Sequence, residues 1–433
     1  MSDLEDQGDA GSGSTRGGQR RARAHRRHTV ARVLLSTLLV LALTSAMSVA
    51  YFYRHLNGNL NQKPIDPLGP RPTKAVDTGP TGALNILVMG SDSRDCDGCD
   101  IDGVPGGGGS DTTMLLHLSA DRKRAYGVSI PRDSLVDRPK CRDKDKPSEI
   151  HPAATLQMWN AAYAIGTENC TIEQFEQATG IFVDHYVTVN FASFVSMIDA
   201  IGGVEVCLPE TFYDSYTKTT FTKGTHTYSG KKALAYARVR HGIGGGAIEG
   251  TDLARVKRQQ ALIAAMVGRV LSADTLANPL KVTSFLNAAT KSLTLDMDLT
   301  DLVGLALQFK DVGSSGIQFL TVPWHYASVD PELKGNPAYS GRVVWTADEA
   351  DVLWRRLLHD QALPASLTTD AIGVDHLPGQ SSSATPSATP SSSSPPSSGS
   401  SSPSPSSSPS PSLEANGRTE EQNQALADAG LCQ

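Results

Sequence analysis

The sequence predicts an α/β fold, an α-β-α layered domain with a mixed central sheet, behind a single N-terminal transmembrane helix. Between residues 81 and 375, apolar runs typical of strands alternate with helical patterns, which is typical of helices layered on a sheet. This stretch of about 290 residues is long enough to bury one large core. A charge-free apolar segment at 33–53 has the length of a membrane span.

Composition divides the 433 residues into six segments. They are an Arg-rich cytoplasmic tail (1–32), a transmembrane signal anchor (33–53), a Pro- and Gly-rich linker (54–80), an extracytoplasmic globular domain (81–375), a Ser/Pro-rich segment (376–412) and a short C-terminal segment (413–433). The Ser/Pro-rich segment cannot bury apolar surface, so it is predicted to be disordered. The formal net charge of −6 does not favour a nucleic-acid partner.

Charge around the apolar segment predicts its orientation. One arginine, Arg54, follows it closely, whereas seven precede it: Arg16, Arg20, Arg21, Arg23, Arg26, Arg27 and Arg32. The positive-inside rule then places the N-terminus in the cytoplasm and the rest of the chain outside the cell membrane. The alternative is a cleaved signal peptide, but the run is longer than a typical signal core and lacks a small-residue cleavage site.

Cysteine usage fits an oxidising compartment, because the chain has six cysteines, an even number. Cys96 and Cys99 form a CxxC motif without the second pair that a zinc site needs, so a disulfide is the simpler interpretation. Cys141 with Cys170 is a second candidate bridge, and Cys207 with Cys432 is a third. Sequence alone does not fix the connectivity.

The pattern of apolar residues predicts the elements of the domain. Strands are predicted over 84–89, 112–118, 126–130, 185–189, 204–208 and 317–322. Helices are predicted over 153–165, 191–201, 231–237, 252–271, 299–309 and 347–359. A capping box beginning at Thr171 predicts one more short helix that ends at Gly180.

Acidic residues stand where two predicted strands meet loops. Asp92 follows strand 84–89, and Asp111 precedes strand 112–118 after the glycine run 106–109. Carboxylates at strand ends beside a flexible loop suit a hard divalent cation that also binds phosphate oxygens, because Mg²⁺ takes one or two carboxylates together with waters and phosphates. The alternative is that both aspartates serve only as turn residues.

Basic residues near other element ends suggest a site for phosphate. Arg132 lies where strand 126–130 enters a loop, a position suited to bidentate contact with phosphate. Arg238 and Arg240 stand two residues apart, so they share a side if this segment is extended. His241 follows them, and a structural role is favoured for it over a catalytic one.

The helix predicted over 252–271 carries polar residues on its apolar side. With Asp252 at zero, Arg255 falls at about 300° and Gln259 at about 340°, on the apolar stripe. Charged groups on an inward face need partners, and a polyanion would supply them. An internal ion pair between Asp252 and Arg255 is the alternative. Arg258 points away from the stripe and is predicted to lie at the surface.

These motifs together resemble the LytR-CpsA-Psr family over residues 84–271. The matching segments, in order, are Gly90-Ser91-Asp92-Ser93-Arg94, Ser110-Asp111-Thr112, Ile130-Pro131-Arg132-Asp133-Ser134, Asn160-Ala161-Ala162-Tyr163, Gly202-Gly203-Val204, Gly230, Ala233-Leu234-Ala235-Tyr236-Ala237-Arg238-Val239-Arg240 and Asp252-Leu253-Ala254-Arg255 through Arg258-Gln259-Gln260. The resemblance implies an α-β-α fold with a hydrophobic cavity for a lipid chain. It also implies a Mg²⁺-dependent phosphotransferase that moves a glycopolymer from polyprenyl pyrophosphate to peptidoglycan, through a phosphodiester bond.

The resemblance also implies roles for individual residues. Asp92 and Asp111 would hold Mg²⁺ (or Mn²⁺), with Asp252 nearby. The residues that would bind pyrophosphate are Arg132, Arg238, Arg240, Arg255 and Gln259, and the catalytic set would be Asp92, Asp111, Arg132, Asp252 and Arg255. Many members have an arginine where this chain has Gly109, so Arg94 or Arg240 is expected to replace that contact.

Other functions are compatible with the same residues. The chain would be a pyrophosphatase if water were the acceptor, or a non-catalytic wall protein if it only bound lipid pyrophosphate. A role as a transcription regulator conflicts with the predicted outside location. The sequence does not identify the glycopolymer, the prenyl length or the general base, for which Asp92, Asp111 and Asp252 are candidates.

Overall fold

The computed structural model describes residues 16–75, 82–93, 108–239, 242–243, 252–379, 423, 426–427 and 429–432. The chain forms two compact units, residues 1–58 and 59–433. The helices are α1 (Arg16–Asn59), α2 (Ala161–Thr179), α3 (Phe191–Ala200), α4 (Gly230–Ala237), α5 (Asp252–Leu271), α6 (Ala273–Leu276), α7 (Pro279–Ser292), α8 (Leu299–Val312), α9 (Ala347–Leu358) and α10 (Ala365–Thr368), with short 3₁₀ turns at Ser314–Gly316 and Pro337–Tyr339.

All strands among the described residues belong to the second unit. They are β1 (Asn61–Gln62), β2 (Leu84–Ser91), β3 (Ser110–Leu118), β4 (Ala125–Ile130), β5 (Leu135–Arg138), β6 (Cys141–Arg142), β7 (Ile150–His151), β8 (Ala154–Met158), β9 (His185–Asn190), β10 (Val204–Leu208), β11 (Phe212–Asp214), β12 (Thr219–Phe221), β13 (Gly224–Tyr228), β14 (Gly242–Ile243), β15 (Leu293–Leu295), β16 (Ile317–Thr321), β17 (Trp324–Tyr326), β18 (Val343–Trp345) and β19 (Ile372–Gly373).

The described residues of the first unit, 16–58, lie in helix α1, as the apolar run at 33–53 predicts. Among the described residues, one stretch is long and apolar enough to cross a membrane, Val30–Asn59, with a mean hydropathy of 2.2. Helical hydrogen bonding satisfies every backbone polar group within such a stretch, which lipid requires. This helix fits a single-pass membrane anchor.

The second unit is built on a mixed sheet. Within the described residues the sheet has eight strands in the order β1-β15-β9-β2-β3-β4-β16-β19. Strand β3 is antiparallel to both β2 and β4. Strand β9 is parallel to β2, and β16 is parallel to β4. Therefore β2, β4, β9 and β16 all run in one direction, and β3 runs against them.

Helices cover both faces of this sheet. Successive strand residues point to opposite faces, so Met114 packs in one hydrophobic cluster and Leu115 in another. The first cluster contains side chains of α3, α4 and α5, and the second contains side chains of α2 and α9. This arrangement confirms the predicted α-β-α fold with a mixed central sheet.

The predicted strands are all present in the sheet or beside it, but the helix predicted over 153–165 is wrong. Its first part is strand β8, which pairs antiparallel with β5. Residues 154–158 alone are compatible with a helix, and only their pairing with a strand about twenty residues earlier decides otherwise. Helix α2 begins after this strand, at Ala161.

The capping box at Thr171 is also wrong, because Thr171 lies inside α2, whereas the predicted helix end is confirmed, with Gly180 as the C-cap. The break in this helix is at Gly166 and Thr167, whose backbone angles are not helical. A Cβ on Gly166 would lie 2.7 Å from the carbonyl oxygen of Arg142, so glycine permits strand β6 to approach the helix here. The Cys141–Cys170 disulfide joins the same two elements, with Cα atoms 5.3 Å apart.

Two predicted disulfides are confirmed. Cys141 is bonded to Cys170, and Cys207 is bonded to Cys432 across 225 residues of sequence. The predicted Cys96–Cys99 bridge lies outside the described residues. The Cys207–Cys432 bond places the C-terminal segment on the domain, where Leu426, Ala429 and Leu431 are buried in the first hydrophobic cluster.

Candidate functional site

One edge of the sheet collects the predicted polar residues. The carboxyl ends of β2, β4, β9 and β16 lie at this edge, and antiparallel β3 begins there. Asp92 directly follows β2, Asp111 is the second residue of β3, and Arg132 comes two residues after β4. Ligands of open α/β sheets bind outside the carboxyl ends of the strands, so this edge is the candidate site.

The carboxylate of Asp92 is oriented by the glycine loop. Its Oδ1 accepts hydrogen bonds from the backbone N–H groups of Gly108, at 2.9 Å, and Gly109, at 2.8 Å. The Asp92 N–H donates in return to the Gly109 carbonyl at 3.2 Å. The β2–β3 pairing shifts register at Gly90/Ser91, so the regular pairing of these strands is interrupted just before Asp92.

Asp111 is held by a chain of alternating charges. Arg132 Nη1 lies 2.7 Å from Asp111 Oδ1, and Arg132 Nε lies 3.4 Å from Asp133 Oδ2. Asp133 also forms an ion pair with Arg342. The Arg132 and Asp111 side chains are 21% and 25% exposed, so both remain accessible to a ligand.

Helix α5 brings further predicted residues to the same edge. Gln259 accepts a hydrogen bond from Thr112 Oγ1 at 3.0 Å, next to Asp111 in sequence, and donates to the Ala237 carbonyl at 3.4 Å. Arg255, one turn earlier, is 4% exposed. The inward orientation predicted from the helical wheel is therefore observed for both residues.

The neighbouring Gln260 anchors the helix to the sheet. Its Nε2 donates to Ser129 Oγ and to Thr321 Oγ1, both at 2.9 Å, and the residue is fully buried. Ser129 lies near the end of β4, and Thr321 ends β16. One side chain thus ties α5 to two strands whose carboxyl ends form the site.

Arg258 is fully buried, so its predicted surface position is wrong. Its Nη2 donates to the Val239 carbonyl at 3.0 Å, and Nη1 donates to the Ala429 carbonyl at 3.3 Å. Burial lowers the pKa of the guanidinium. The helical wheel could not anticipate this environment, because a segment about 170 residues later in the chain covers that side of the helix.

Arg238 lies on the β9 side of the site. Its guanidinium carbon is 4.9 Å from the centroid of the Phe191 ring and 5.5 Å from that of Tyr216. Phe191 directly follows β9. Contact with two rings fixes the plane of the guanidinium, and its Nη2 donates to the Tyr216 hydroxyl at 3.4 Å, so the cation is held in place at this side of the site.

Four of the predicted residues fall wholly or partly outside the described part of the chain. Arg94 and Arg240 lie outside the described residues, as does His241, and the side chain of Asp252 at the start of α5 is not described. Among the described residues, no group of three or more His, Cys, Asp or Glu side chains is arranged around a common metal position. The two predicted metal ligands at the edge, Asp92 and Asp111, match the number of carboxylates that Mg²⁺ commonly takes from a protein when phosphates supply other ligands.

Other contributors were not singled out from the sequence. Phe191 and Tyr216 stack on Arg238, and Thr112 positions Gln259. Tyr163 is buried and hydrogen-bonds to the Ser91 side chain, and burial, with the nearby Glu168 charge, raises the pKa of its phenol to about 12. Aromatic residues directly after strand ends were the available signal for Phe191, whereas nothing local marks Tyr216.

A cavity of about 410 Å³ lies at the opposite edge of the sheet. It is lined by residues near the starts of β2 and β9 and by α8, including Leu84, His185, Met297 and Leu305. Its lining mixes apolar and charged groups and shares no residue with the site described above. The polar edge formed by Asp92, Asp111 and Arg132 therefore remains the candidate for chemistry.

A family model provides the decisive comparison. The model of the LytR_cpsA_psr family matches residues 51–352 of the chain, which include every described residue of the candidate site. The chain belongs to this family. The resemblance inferred from the ordered motifs is thereby confirmed.

Two named relatives are about 30% identical to this chain. The cell wall biosynthesis protein LcpA of Corynebacterium glutamicum is 31% identical over 265 residues, which are 56% of this chain and 50% of the relative. The polyisoprenyl-teichoic acid–peptidoglycan teichoic acid transferase TagU of Enterococcus faecalis is 30% identical over 228 residues, 52% of this chain and 66% of the relative. The chain spans about half to two thirds of the length of these curated relatives.

Solved structures support the same fold. The protein gbs0355 from Streptococcus agalactiae superposes with a TM-score of 0.50 at 20% identity, over 65% of this chain and 90% of that structure. At this identity the similarity concerns the fold and not the chemistry.

Proposed function

We propose that this protein is a phosphotransferase that attaches a glycopolymer from a polyprenyl-pyrophosphate carrier to cell wall peptidoglycan. The observation that carries the proposal is the meeting of Asp92, Asp111, Arg132 and the Arg255–Gln259 face of α5 at one sheet edge. Its relatives include proteins named as polyisoprenyl-teichoic acid–peptidoglycan teichoic acid transferases. Carboxylates that can bind a divalent cation, next to arginines that can bind phosphate, suit a pyrophosphate that binds together with such a cation.

The proposed location follows from α1 and the disulfides. The arginines before the apolar stretch favour a cytoplasmic N-terminus and an extracellular catalytic domain. Two disulfides in the second unit fit an oxidising compartment. In that location the site has access to lipid-linked polymers in the membrane and to peptidoglycan, and nucleic acid is not expected as a partner.

In the proposed reaction, a hydroxyl of peptidoglycan attacks the phosphorus bonded to the sugar. A new oxygen–phosphorus bond forms, the pyrophosphate bridge breaks, and polyprenyl monophosphate leaves with the bridging oxygen. The hydroxyl proton passes to a base, for which the candidates are Asp92, Asp111 and Asp252. The product is a phosphodiester that joins polymer to wall.

The arginines of the site would stabilise the negative charge that develops on the pyrophosphate oxygens during this reaction. Arg132 and Arg255, with Arg238 on the β9 side, would bind the non-bridging oxygens, and Gln259 would donate to the same group. Arg94 and Arg240 are proposed to add to this set. Fixed cations in a partly dry site stabilise developing negative charge without reorganisation, which is the largest source of catalysis in many enzymes.

Asp92 and Asp111 would hold Mg²⁺ or Mn²⁺. The bound cation would supply Lewis-acid neutralisation of the pyrophosphate oxygens. Gly108 and Gly109 orient the Asp92 carboxylate, and Arg132 orients that of Asp111, so both are positioned before the substrate arrives. The same Arg132, whose side chain is 21% exposed, would contact phosphate beside Asp111.

The proposal is tested in cells by deleting the gene, together with any paralogues, and measuring sugars and phosphate covalently bound to the wall. We expect a loss of wall-linked polymer that the wild-type gene restores and Asp111→Asn does not. Full restoration by Asp111→Asn would indicate a protein that binds lipid pyrophosphate without turnover.

A further inference from the structure

A hairpin beside the candidate site carries partly exposed aromatic rings. Strands β17 and β18 pair antiparallel, with Trp324 opposite Trp345 and Tyr326 opposite Val343. The Val343 N–H donates to the Asp133 carbonyl at 3.2 Å. Because Arg342 pairs with Asp133, Asp133 with Arg132 and Arg132 with Asp111, successive ion pairs connect the hairpin to the candidate catalytic carboxylate.

Strand β18 of this hairpin packs against the core. The Trp345 ring lies 6.0 Å from that of Trp159 and 5.5 Å from that of Trp354, both buried in the second hydrophobic cluster. Trp324 and Tyr326 are only partly covered, and Tyr326 is 38% exposed. Their rings meet edge to face with centroids 5.1 Å apart, so they form a fixed corner of two aromatic surfaces.

Polar groups accompany these rings. His325, between them, contacts Asp330 Oδ2 through Nε2 at 3.0 Å and Thr346 Oγ1 through Nδ1 at 3.3 Å. Arg342 is 32% exposed. A pyranose ring has an apolar C–H face that packs on aromatic rings and a rim of hydroxyls that bond to charged and polar groups. Exposed aromatic surface with a polar rim therefore suits a carbohydrate better than an apolar partner.

We propose that the surface formed by Trp324 and Tyr326 binds the glycan of the peptidoglycan acceptor. This inference rests on the proposed function and adds to it the place where the acceptor docks. The donor glycan is the rival occupant, and the layout of the site favours the acceptor.

The direction of the reaction separates acceptor from donor. Arg238, predicted to bind pyrophosphate, stacks on Phe191 after β9, whereas the hairpin follows β16. Strands β9 and β16 lie on opposite sides of β2, β3 and β4. Phosphoryl transfer places the attacking and leaving oxygens roughly in line on opposite sides of phosphorus. We assign the leaving phosphate to Arg238 on the β9 side, so the attacking hydroxyl would enter from the β16 side, where the hairpin stands.

The test measures transfer by the full-length protein in detergent while acceptor and donor are varied separately. The acceptor is soluble, uncrosslinked peptidoglycan glycan strands, and the donor is a synthetic polyprenyl-pyrophosphoryl oligosaccharide. Trp324→Ala and Tyr326→Ala should each raise the KM for the acceptor about tenfold, since stacking on one ring contributes roughly a factor of ten in affinity. The donor KM and kcat should stay within about twofold of wild type.

Two variants control for the fold. Trp324→Phe keeps an aromatic surface and should recover most of the acceptor affinity. Val329→Ala removes an apolar side chain that is 67% exposed in the same hairpin and should behave as wild type. Unchanged acceptor KM in both alanine variants would overturn the inference, and so would a rise in donor KM that grows with donor glycan length.

Direct binding separates this inference from the proposed function. Calorimetric titration of the same glycan strands, without donor, should show binding to wild type that Trp324→Ala weakens about tenfold. If wild type binds the strands but transfers nothing, the proposed function fails while the glycan surface stands. If wild type transfers polymer and Trp324→Ala binds the strands equally well, the glycan surface is wrong and the function stands.

Discussion

The guanidinium of Arg132 lies 2.7 Å from the carboxylate of Asp111, so a cation and an anion predicted for one phosphate site already hold each other in place. This pairing orients both groups before a substrate binds. A charged ligand entering the edge would then meet side chains that need little reorganisation.

Asp111→Asn tests the importance of this carboxylate. The change keeps the side-chain shape and removes the charge, so we expect transfer to fall about a hundredfold or more. Stability should change by less than about 1 kcal/mol, because the ion pair is partly exposed. Asp145→Asn is the control, since Asp145 is 75% exposed in a comparable lysine pair and should leave transfer unchanged. Equal transfer activity of the two variants would show that Asp111 does not take part in the reaction.

Arg258→Ala tests the buried cation. Loss of the side chain leaves the Val239 and Ala429 carbonyls without these donors and opens a cavity, so we expect destabilisation of about 3 kcal/mol or more. Arg355→Ala, which removes an exposed arginine from α9, should stay within about 0.5 kcal/mol of wild type. Denaturant unfolding measures both. A wild-type stability for Arg258→Ala would show that these hydrogen bonds do not stabilise the fold.

Cys432→Ser tests the C-terminal segment. The disulfide to Cys207 closes a loop of 225 residues, and its loss should cost about 2–5 kcal/mol. Because Arg258 and the disulfide hold the same segment, the double variant should be destabilised by less than the sum of the two single variants. Strict additivity would mean that the segment is held at two independent points.

The pH dependence of stability tests the contact between His185 and Asp296. His185 Nδ1 lies 3.0 Å from Asp296 Oδ2, and this hydrogen bond raises the pKa of His185 above its usual 6.5. The raised folded-state pKa means that the contact stabilises the protein fully below pH 6.5 and that this contribution is lost as pH rises through the folded-state pKa. The stability gap between wild type and His185→Gln should therefore be larger at pH 5.5 than at pH 8.5. A gap that is constant or grows with pH would contradict this assignment.

The sequence predicted the fold well wherever the signal was local. The apolar periodicity placed α5 over residues 252–271 and put Gln259 and Arg255 on its inward side. It failed where distant segments decide the structure. Residues 154–158 form a strand because β5 is available to pair with them, and Arg258 is buried because residues near 429 return to cover it.

The sequence predicted part of the candidate site, and again the part that depends on local signals. Asp92 and Arg132 follow strands and Asp111 precedes one, and these positions allowed the three residues to be grouped, since such strand ends converge at one sheet edge. The contacts of Thr112 with Gln259 and of Tyr216 with Arg238 depend on how α5 and the β11 region fold over that edge. No spacing in the sequence encodes those contacts. The metal role of Asp92 and Asp111 stays a prediction.

The most direct test of the central claim follows the fate of one phosphorus atom. A polyprenyl-pyrophosphoryl oligosaccharide labelled at the phosphorus next to the sugar is incubated with the purified protein, peptidoglycan and Mg²⁺. We predict that labelled phosphorus and sugar appear together in the wall fraction as a phosphodiester, with release of polyprenyl monophosphate, and that Asp111→Asn abolishes this product. Label recovered only as a free sugar phosphate would show water to be the acceptor and would contradict the proposed transfer to the wall.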